Sequence, residues 1–206
     1  MTDTTPHFDT RERLLKAALS HFAEKGFYGT SLQQIASELG LTKQALLYHF
    51  KRKEDLYAEV LKEISGRLSG FVRSIKDQEK PASEQLEEIM LGLYDLSLTH
   101  PLDAKVLMHE LLDNEPRAEK AKDWFLLPFL NDIVATARRI NGLEVVPFPN
   151  VFSMIYQILG SIQYFNVSAV TLRRMYGDDD YQAFCRSFPD ELRGQIQRLV
   201  RDLADE

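Results

Sequence analysis

The sequence predicts an all-α fold, and three observations support this. Apolar residues recur at helical spacing along most of the chain, and no alternating strand pattern of useful length occurs. Glycine and proline fall between these segments, where helices end. The segment 30–55, TSLQQIASELGLTKQALLYHFKRKED, combines two short helical patterns with a basic cluster. This segment is the most informative part of the chain.

The first short helix of this segment carries one apolar stripe. Its members are Leu32, Ile35, Ala36 and Leu39. Gly40 follows, and glycine is the residue that most readily adopts the left-handed conformation that stops a helix. Thr42 is then a good N-cap for a second helix that runs to about Phe50. The pattern therefore predicts a helix, a tight turn and a second helix.

The second short helix has two different faces. At about 100° per residue, one face carries cations, an amide, an aliphatic group and a phenol. These residues are Lys43, Gln44, Leu47, Tyr48 and Lys51. Leu46 and Phe50 lie opposite, where they can pack on the first helix, and small Ala36 permits a close crossing. The exposed groups suit base edges, thymine methyls and phosphates. The alternative is a three-helix bundle with an ordinary solvated face.

Composition limits the class of protein. The 206 residues can bury a real core, and no stretch approaches 18 uninterrupted apolar residues, so we expect no membrane span. The N-terminus is polar and lacks an apolar signal segment, and the chain has a single cysteine, Cys185. Both observations favour an intracellular protein. We expect Cys185 to be a packed side chain. Residues 1–53 carry eight Lys/Arg against five Asp/Glu, while the remainder carries 17 against 26. Positive charge is therefore confined to one end, as expected when one module binds nucleic acid.

The rest of the chain predicts further helices. Residues 1–9 are expected to form a disordered tail. Thr10 is predicted to cap a first helix that runs from Arg11 to about Lys25, and Gly26 to end that helix. A fourth helix from Lys53 to about Ile75 is long enough to enter a second domain. We place the boundary between the two domains between residues 53 and 54. The later predicted helices are 84–99, 102–113, 118–140, 150–175, 179–187 and 189–204.

Two prolines and two late helices carry particular expectations. Pro128 should kink or interrupt its helix, and a break is expected before Pro189. The 150–175 helix is apolar around nearly its whole circumference, and the 189–204 helix has one apolar stripe. Such helices are typical of a contact with both the core and a second subunit. A central helix in a monomer is the alternative.

Across residues 11–60, the sequence resembles the tetracycline-repressor (TetR) family of bacterial transcription regulators. The resemblance rests on FAEKGFYGTS followed by IASELGLTKQALLYHFKRKEDLY. It implies a homodimer that places one helix-turn-helix per subunit in successive major grooves of double-stranded DNA. It also implies that the C-terminal domain, residues 54–206, binds a small-molecule effector that controls DNA affinity.

The resemblance also implies roles for individual residues. Lys43, Gln44 and Ala45 would face bases, and Gln33 would reach a base edge. Positions that usually touch the DNA backbone are occupied by Thr30, Ser31, Tyr48, His49 and Lys53, and the Thr42 cap lies in the same interface. His49 could instead be a satisfied, partly buried histidine. For Lys53 the sequence adds an argument, because a lysine at a helix start opposes the helix dipole.

Two positions depart from the usual pattern of the family. Leu47 stands where many relatives have an aromatic residue, which indicates an apolar methyl contact in place of a phosphate hydrogen bond. Arg52 replaces a small polar cap at the start of the fourth helix. It adds a phosphate-seeking cation and weakens the cap.

The C-terminal region offers candidates for an apolar ligand pocket with a few polar groups. They are Met90, Tyr94, Met108, His109, Trp124, Phe125, Met154, Gln157 and Tyr164. Taken singly, each of these residue types is more often plain core than ligand wall. His109 lies in MHELLDN, which lacks the second histidine of a zincin-type helix, so we expect no metal site and no cofactor.

Other classes of function remain alternatives. An enzyme is not favoured, since there is no phosphate-cradling glycine loop, nucleophile elbow or metal-ligand cluster. A DNA-binding protein with no effector, acting by occupancy alone, stays open because the C-terminal domain could be solid core. Repression is the default that the resemblance implies.

Overall fold

The computed structural model describes residues 6–113 and 124–204, and in this part of the chain every regular element is a helix. The first four helices are α1 (Pro6–Gly29), α2 (Leu32–Glu38), α3 (Lys43–His49) and α4 (Lys53–Lys76). The others are α5 (Ala82–Thr99), α6 (Pro101–Leu112), α7 (Leu127–Ala137), α8 (Phe148–Val167), α9 (Ala169–Tyr176) and α10 (Asp178–Ala204). The predicted all-α class is confirmed.

The described residues form two compact units. The first comprises the described parts of 1–66 and 102–125, and the second those of 67–101 and 126–206. Helix α4 contributes residues to both units, as its predicted length suggests. The boundary expected between residues 53 and 54 divides the chain by function, and it stays a prediction.

The start of the chain differs from the prediction. Residues 1–5 of the expected tail lie outside the described residues, but α1 begins at Pro6, so a tail through residue 9 is wrong. Thr10 consequently lies inside the helix and is not its N-cap. Gly26 does interrupt the helix, with φ 66 and ψ −178, and one further helical turn follows it.

Pro128 lies in the first turn of a helix, whereas the sequence predicts that it kinks or interrupts one. Residues 118–123 of the expected 118–140 helix lie outside the described residues, and α7 starts only at Leu127. Pro128 therefore occupies the first turn, where a residue needs no N–H because no helical acceptor precedes it.

The two late segments also differ from their predicted lengths. The expected 150–175 helix is two helices, α8 and α9, separated at Ser168. The expected 179–187 and 189–204 helices are one, because α10 continues through Pro189. The predicted break before Pro189 is wrong.

A tyrosine from another helix explains why α10 continues through a proline. Pro189 has no N–H to donate to the carbonyl four residues earlier, that of Cys185. The hydroxyl of Tyr94 on α5 donates to this carbonyl at 3.1 Å. Burial raises the pKa of the Tyr94 hydroxyl, which therefore remains a proton donor. The Tyr94 ring also stacks on Phe188, with centroids 5.0 Å apart. The carbonyl that the proline leaves without a donor is thus satisfied, and the helix persists.

A buried amide fixes the loop between α4 and α5. Gln85 is fully buried, and its Nε2 donates to the carbonyls of Lys76 at 3.3 Å and Gln78 at 2.7 Å. Its Oε1 accepts from Arg139 Nη1 at 3.1 Å. Backbone carbonyls at the end of a helix lack partners of their own, so Gln85 acts as a cap for α4.

Within residues 6–113 and 124–204, the helices are all too short or too polar to cross a membrane.

We expect Tyr94→Phe to destabilise the protein by about 1–3 kcal/mol, because it leaves the partly buried Cys185 carbonyl without a donor. Thermal unfolding measures this, at about 2–4 °C in Tm per kcal/mol for a chain of this size. In a Pro189→Ala background the new N–H can bond the carbonyl, so the same substitution should cost less. Tyr176→Phe, at a half-exposed tyrosine of α9, is the matched control. An equal penalty in both backgrounds would contradict the assigned role of the hydroxyl.

Candidate nucleic-acid interface

Helix α2 begins and ends as its sequence predicts. Ser31 is the N-cap, and its hydroxyl accepts from the backbone N–H of Gln33 at 3.2 Å. At the other end Gly40 has φ 69. The N–H of Leu41 donates to the carbonyl of Ala36 at 2.9 Å, and that of Gly40 to Ser37 at 3.1 Å. This bonding pattern is the Schellman motif, which turns the chain sharply towards α3.

Helix α3 is fixed by a cap and by two buried side chains. The Thr42 hydroxyl accepts from the backbone N–H of Ala45 at 3.1 Å. Leu46 and Phe50 are buried on the side that meets α2, whose Ile35 and Ala36 are fully buried. The predicted packing of the two helices is confirmed by these positions. The opposite face of α3 is consequently directed outwards.

The outward face of α3 carries the side chains expected there. Lys43 and Gln44 are exposed at its start, and Tyr48 is 76% exposed. Ala45 and Leu47 are half-buried between the two faces. This surface combines a cation, an amide and a phenol within two helical turns, so it can meet both base edges and phosphates.

His49 and Gln33 flank this face. His49 is half-buried and lies edge-on to Tyr48, with ring centroids 5.6 Å apart. Gln33 is exposed on α2, and its Nε2 donates to Ser37 Oγ at 3.0 Å. Either side chain can reach outwards from its position, and the DNA contacts assigned to them stay predictions.

Thr30 and Lys53 have partners inside the protein. Thr30 is buried, and its hydroxyl lies 2.7 Å from the Gly26 carbonyl and 3.1 Å from that of His21. The Lys53 ammonium donates to the Thr30 carbonyl at 2.7 Å. Burial lowers the pKa of Lys53, against a smaller opposite effect of Glu54. No local pattern indicated this contact, which joins residues 23 positions apart along the chain.

Arg52 makes a local ion pair at the start of α4. Its guanidinium lies 2.9 Å from Oδ1 and 3.4 Å from Oδ2 of Asp55. This hydrogen bond lowers the pKa of the Asp55 carboxyl and raises the pKa of Arg52. The pair ties the residue before the helix to its first turn, where the sequence had suggested only a weakened cap.

The candidate ligand residues divide between the two compact units. Met108, His109, Trp124 and Phe125 belong to the first unit, and each is at least partly accessible. Met90, Tyr94 and Met154 are buried in the second unit, whereas Gln157 and Tyr164 are exposed on α8. Three of the nine candidates are thus buried, and the ligand contacts assigned to all nine stay predictions.

The acidic and histidine residues near the end of α6 are engaged with the protein. His109 Nδ1 lies 3.8 Å from Asp113 Oδ2, and the Glu110 carboxylate accepts from the Tyr57 hydroxyl at 2.8 Å. A Cβ added at Gly26 would lie within 3 Å of both His109 and Asp113, so this approach requires glycine. The described residues contain no group of three or more His, Cys, Asp or Glu that could hold a metal.

Comparison with known proteins places this geometry in a family. The family model for bacterial regulatory proteins of the tetR family matches residues 14–60, which include α2, α3 and the start of α4. The resemblance drawn from the sequence is confirmed for this segment, which contains the helix-turn-helix formed by α2 and α3.

Curated relatives match the chain over about half of its length. It is 34% identical over 106 residues to the HTH-type transcriptional regulator RutR of Escherichia coli K12, covering 52% of this chain and 50% of RutR. It is 26% identical over 114 residues to the HTH-type transcriptional repressor NicS of Pseudomonas putida, covering 55% and 54%. The chain therefore spans about half the length of these relatives.

Solved structures share the fold over nearly the whole chain. The hemolysin II transcriptional regulator HlyIIR has a TM-score of 0.66 at 23% identity, covering 98% of this chain and 100% of HlyIIR. FadR of Bacillus subtilis, solved with stearoyl-CoA, has a TM-score of 0.65 at 22% identity, covering 88% and 96%. At these identities the likeness shows the fold alone.

Proposed function

We propose that this protein is a transcriptional regulator of the tetR family, a repressor, that binds double-stranded DNA in the cytoplasm and is not an enzyme. The observation that carries the proposal is the exposed face of α3 opposite the buried Leu46 and Phe50. This face lies within the segment that matches the family. A short helix held by its inner face and exposed on its outer face fits the major groove.

Base recognition is assigned to the first two turns of α3. Lys43 and Gln44 are exposed there, and they can donate to guanine and pair with adenine respectively. Ala45 and Leu47 offer apolar contacts for a thymine methyl. Gln33 extends the reading surface from α2. The short spacing of these residues limits each subunit to a few adjacent base pairs.

Backbone contacts hold α3 in register on the duplex. Ser31 and Thr42 are exposed caps at the starts of α2 and α3, where the positive ends of helix dipoles attract phosphates. Tyr48 and His49 extend the same surface at the end of α3 and can donate to phosphate oxygens. These contacts position the reading face and carry no sequence information themselves.

We expect Gln44→Ala to weaken specific binding by roughly 1–3 kcal/mol and to relax sequence preference at one position, because a bidentate base contact is lost. The probe is DNA selected from a random pool by the wild-type protein, with affinity measured by fluorescence anisotropy. Lys43→Ala should likewise reduce affinity. Gln182→Ala, at an exposed glutamine of α10, is the matched control.

The outcomes of this experiment separate two questions. If the wild-type protein selected no sequence from the pool, the proposed function would be wrong. If it selected a sequence that Gln44→Ala and Lys43→Ala bound equally well, the reading face would be misassigned while DNA binding stood.

The exposed face of α8 supports a homodimer. Val151, Ile155 and Ile158 of this helix are buried in the core, whereas Tyr156 and Tyr164 on the other side are 53% and 72% exposed. Gly160 lies between the two tyrosines, and a Cβ there would have nothing within 4 Å. A mid-helix glycine is destabilising by roughly 0.5–1 kcal/mol relative to alanine, and it allows another backbone to approach closely.

We infer that α8 crosses its symmetry mate near Gly160, with the second half of α10 alongside it. Leu199, Val200 and Leu203 are half-buried there, which leaves apolar surface for a partner. A two-fold dimer then presents two α3 helices to one face of the duplex. Half-sites about one turn apart, roughly 34 Å, make a pseudo-palindrome the expected target.

Gly160→Arg should convert a dimer at micromolar concentration into a monomer, because a charged side chain would enter an apolar crossing. Sedimentation velocity measures this. Gly70→Arg, at another mid-helix glycine with open space around it, is the matched control and should remain dimeric. A wild-type monomer, or a Gly160→Arg dimer of unchanged affinity, would contradict the assigned interface.

Effector control is assigned to residues 54–206. The proposed effector is a small, largely apolar molecule, since the buried candidates Met90 and Met154 supply adaptable thioether surface. The FadR structure, which shares this fold, contains stearoyl-CoA. An effector that favours a subunit arrangement unable to span the operator would shift the population away from DNA. A coupling of about 1–3 kcal/mol suffices.

A second candidate function is DNA occupancy without an effector. The observation in its favour is that Met90, Tyr94 and Met154 are packed as core, with the Tyr94 hydroxyl engaged by the Cys185 carbonyl. Side chains already used for packing and hydrogen bonding leave less surface for a ligand.

Thermal-shift measurements with fatty acids and their CoA thioesters should separate the two candidates. An effector at about 100 times its Kd stabilises by about 2.7 kcal/mol, which raises Tm by several degrees, and it should also release the selected DNA. A broader metabolite library extends the test to other apolar compounds. Stabilisation without DNA release, or no response from any compound, would favour occupancy alone.

A further inference from the structure

Helix α2 is buried through apolar side chains that stop two residues before its end. These side chains are Leu32, Ile35 and Ala36. The last two residues of the helix, Ser37 and Glu38, are exposed. A helix of seven residues is not stable alone in water, so its direction depends on contacts with its neighbours. The apolar contacts of α2 therefore secure its start and middle more firmly than its end.

His21 on α1 supplies a polar contact to this end. Its ring Nε2 lies 2.8 Å from Oε2 of Glu38, the last residue of α2. The His21 side chain is only 12% exposed, so water competes little for this ring, although Glu38 itself is 53% exposed. An acid in the last turn of a helix opposes the helix dipole, so local preference does not account for Glu38. The contact with His21 accounts for it.

The two ring nitrogens of His21 have different surroundings. Nδ1 is buried and has no hydrogen-bond partner within residues 6–113 and 124–204. A proton on Nδ1 would therefore place a buried N–H where nothing accepts it, which folded proteins rarely tolerate. In the neutral ring the proton consequently lies on Nε2, where the Glu38 carboxylate accepts it. The neutral ring has a single donor, and the bond to Glu38 uses it.

The same part of α1 meets the residue that precedes α2. The Thr30 hydroxyl has one proton, which faces the carbonyls of Gly26 at 2.7 Å and His21 at 3.1 Å. Thr30 comes directly before Ser31, the N-cap of α2. The segment of α1 from His21 to Gly26 thus contacts both ends of α2, through backbone carbonyls at the start and the His21 ring at the end. Contacts at both ends fix the direction of a short helix.

We propose that His21 is a positioning residue for DNA recognition, which holds the end of α2 through a hydrogen bond from its ring Nε2 to Glu38. The proposal rests on the proposed DNA binding. Helix α2 packs on α3 and leads into it through the turn at Gly40. Because of this, fixing the end of α2 also fixes the direction of the outward face of α3. His21 acts through Glu38 and needs no contact with the DNA.

His21→Leu tests the role, because leucine keeps apolar bulk between α1 and α2 and removes the donor. In the free protein, backbone amides of residues 39–41 should exchange with solvent roughly threefold to tenfold faster, as for the loss of one hydrogen bond. Amides of the second unit should not change. Affinity for the selected DNA should fall by up to about tenfold, since a smaller fraction of molecules has α3 in the binding orientation.

The salt dependence of DNA binding distinguishes positioning from a direct contact. It should be the same for His21→Leu as for the wild-type protein, because no phosphate contact is lost. Each phosphate contact contributes about 0.9 to the slope of log affinity against log salt. A slope reduced by about this amount would indicate that His21 touches a phosphate and would overturn the proposal.

His21→Gln is the rescue variant, because the amide of glutamine can donate to Glu38 from about the position of the ring Nε2. It should restore slow exchange at residues 39–41 and most of the DNA affinity. His100→Leu, at an exposed histidine that follows α5, is the matched control and should change neither quantity. If His21→Gln were as impaired as His21→Leu, or if His21→Leu matched the wild type, the positioning role would be overturned.

A measurement on the wild-type protein covers the case in which His21→Leu does not fold. Nitrogen NMR of the neutral His21 ring should show the proton on Nε2, hydrogen-bonded to Glu38. A proton on Nδ1 would leave Nε2 unable to donate and would contradict the proposal. Failure of the wild-type protein to select DNA contradicts the proposed function alone, because the ring tautomer and amide exchange are measured in the free protein.

Discussion

Burial of Leu46 and Phe50 against α2 is the constraint on which the candidate interface depends. Helix α3 has only seven residues, and a helix of that length is not stable alone in water. Its direction is therefore set by what it buries, and its outward face follows from its inward one. Phe50 also connects this segment to α1, because the guanidinium of Arg11 on α1 lies 5.0 Å from the centroid of the Phe50 ring. The same buried contacts therefore both stabilise α3 and determine which of its side chains are exposed.

Local signals explain why α2 and α3 could be predicted and the contacts around them could not. Gly40 and Thr42 act on backbone groups within a few residues, so the sequence itself shows where the helices end and begin. The bond from Lys53 to Thr30 spans 23 positions, and that from Tyr94 to Cys185 spans 91. No periodicity reports such pairs. The same limit explains Pro189, whose effect depends on a donor from another helix.

Periodicity also identifies a helix face without saying what covers it. On α8, the apolar circumference predicted contact with both the core and a second subunit, and in the single chain Met154 is buried while Tyr164 is exposed. Both were candidate ligand contacts by residue type. The distinction between core, subunit interface and pocket wall is a property of the neighbours of a helix. A sequence read one segment at a time leaves these three environments unresolved. For this reason the outward face of α3 was predicted more fully than the surroundings of the candidate ligand residues.

The Tyr94 hydroxyl has a consequence for how the second unit opens. A proline inside a helix usually lets the two halves fray independently, since the hydrogen bond across the break is missing. Here the missing donor comes from α5, so separating α5 from α10 would expose the Cys185 carbonyl and the proline break together. We therefore expect α5 and α10 to open together as one cooperative unit, the kind of foldon that native-state exchange detects.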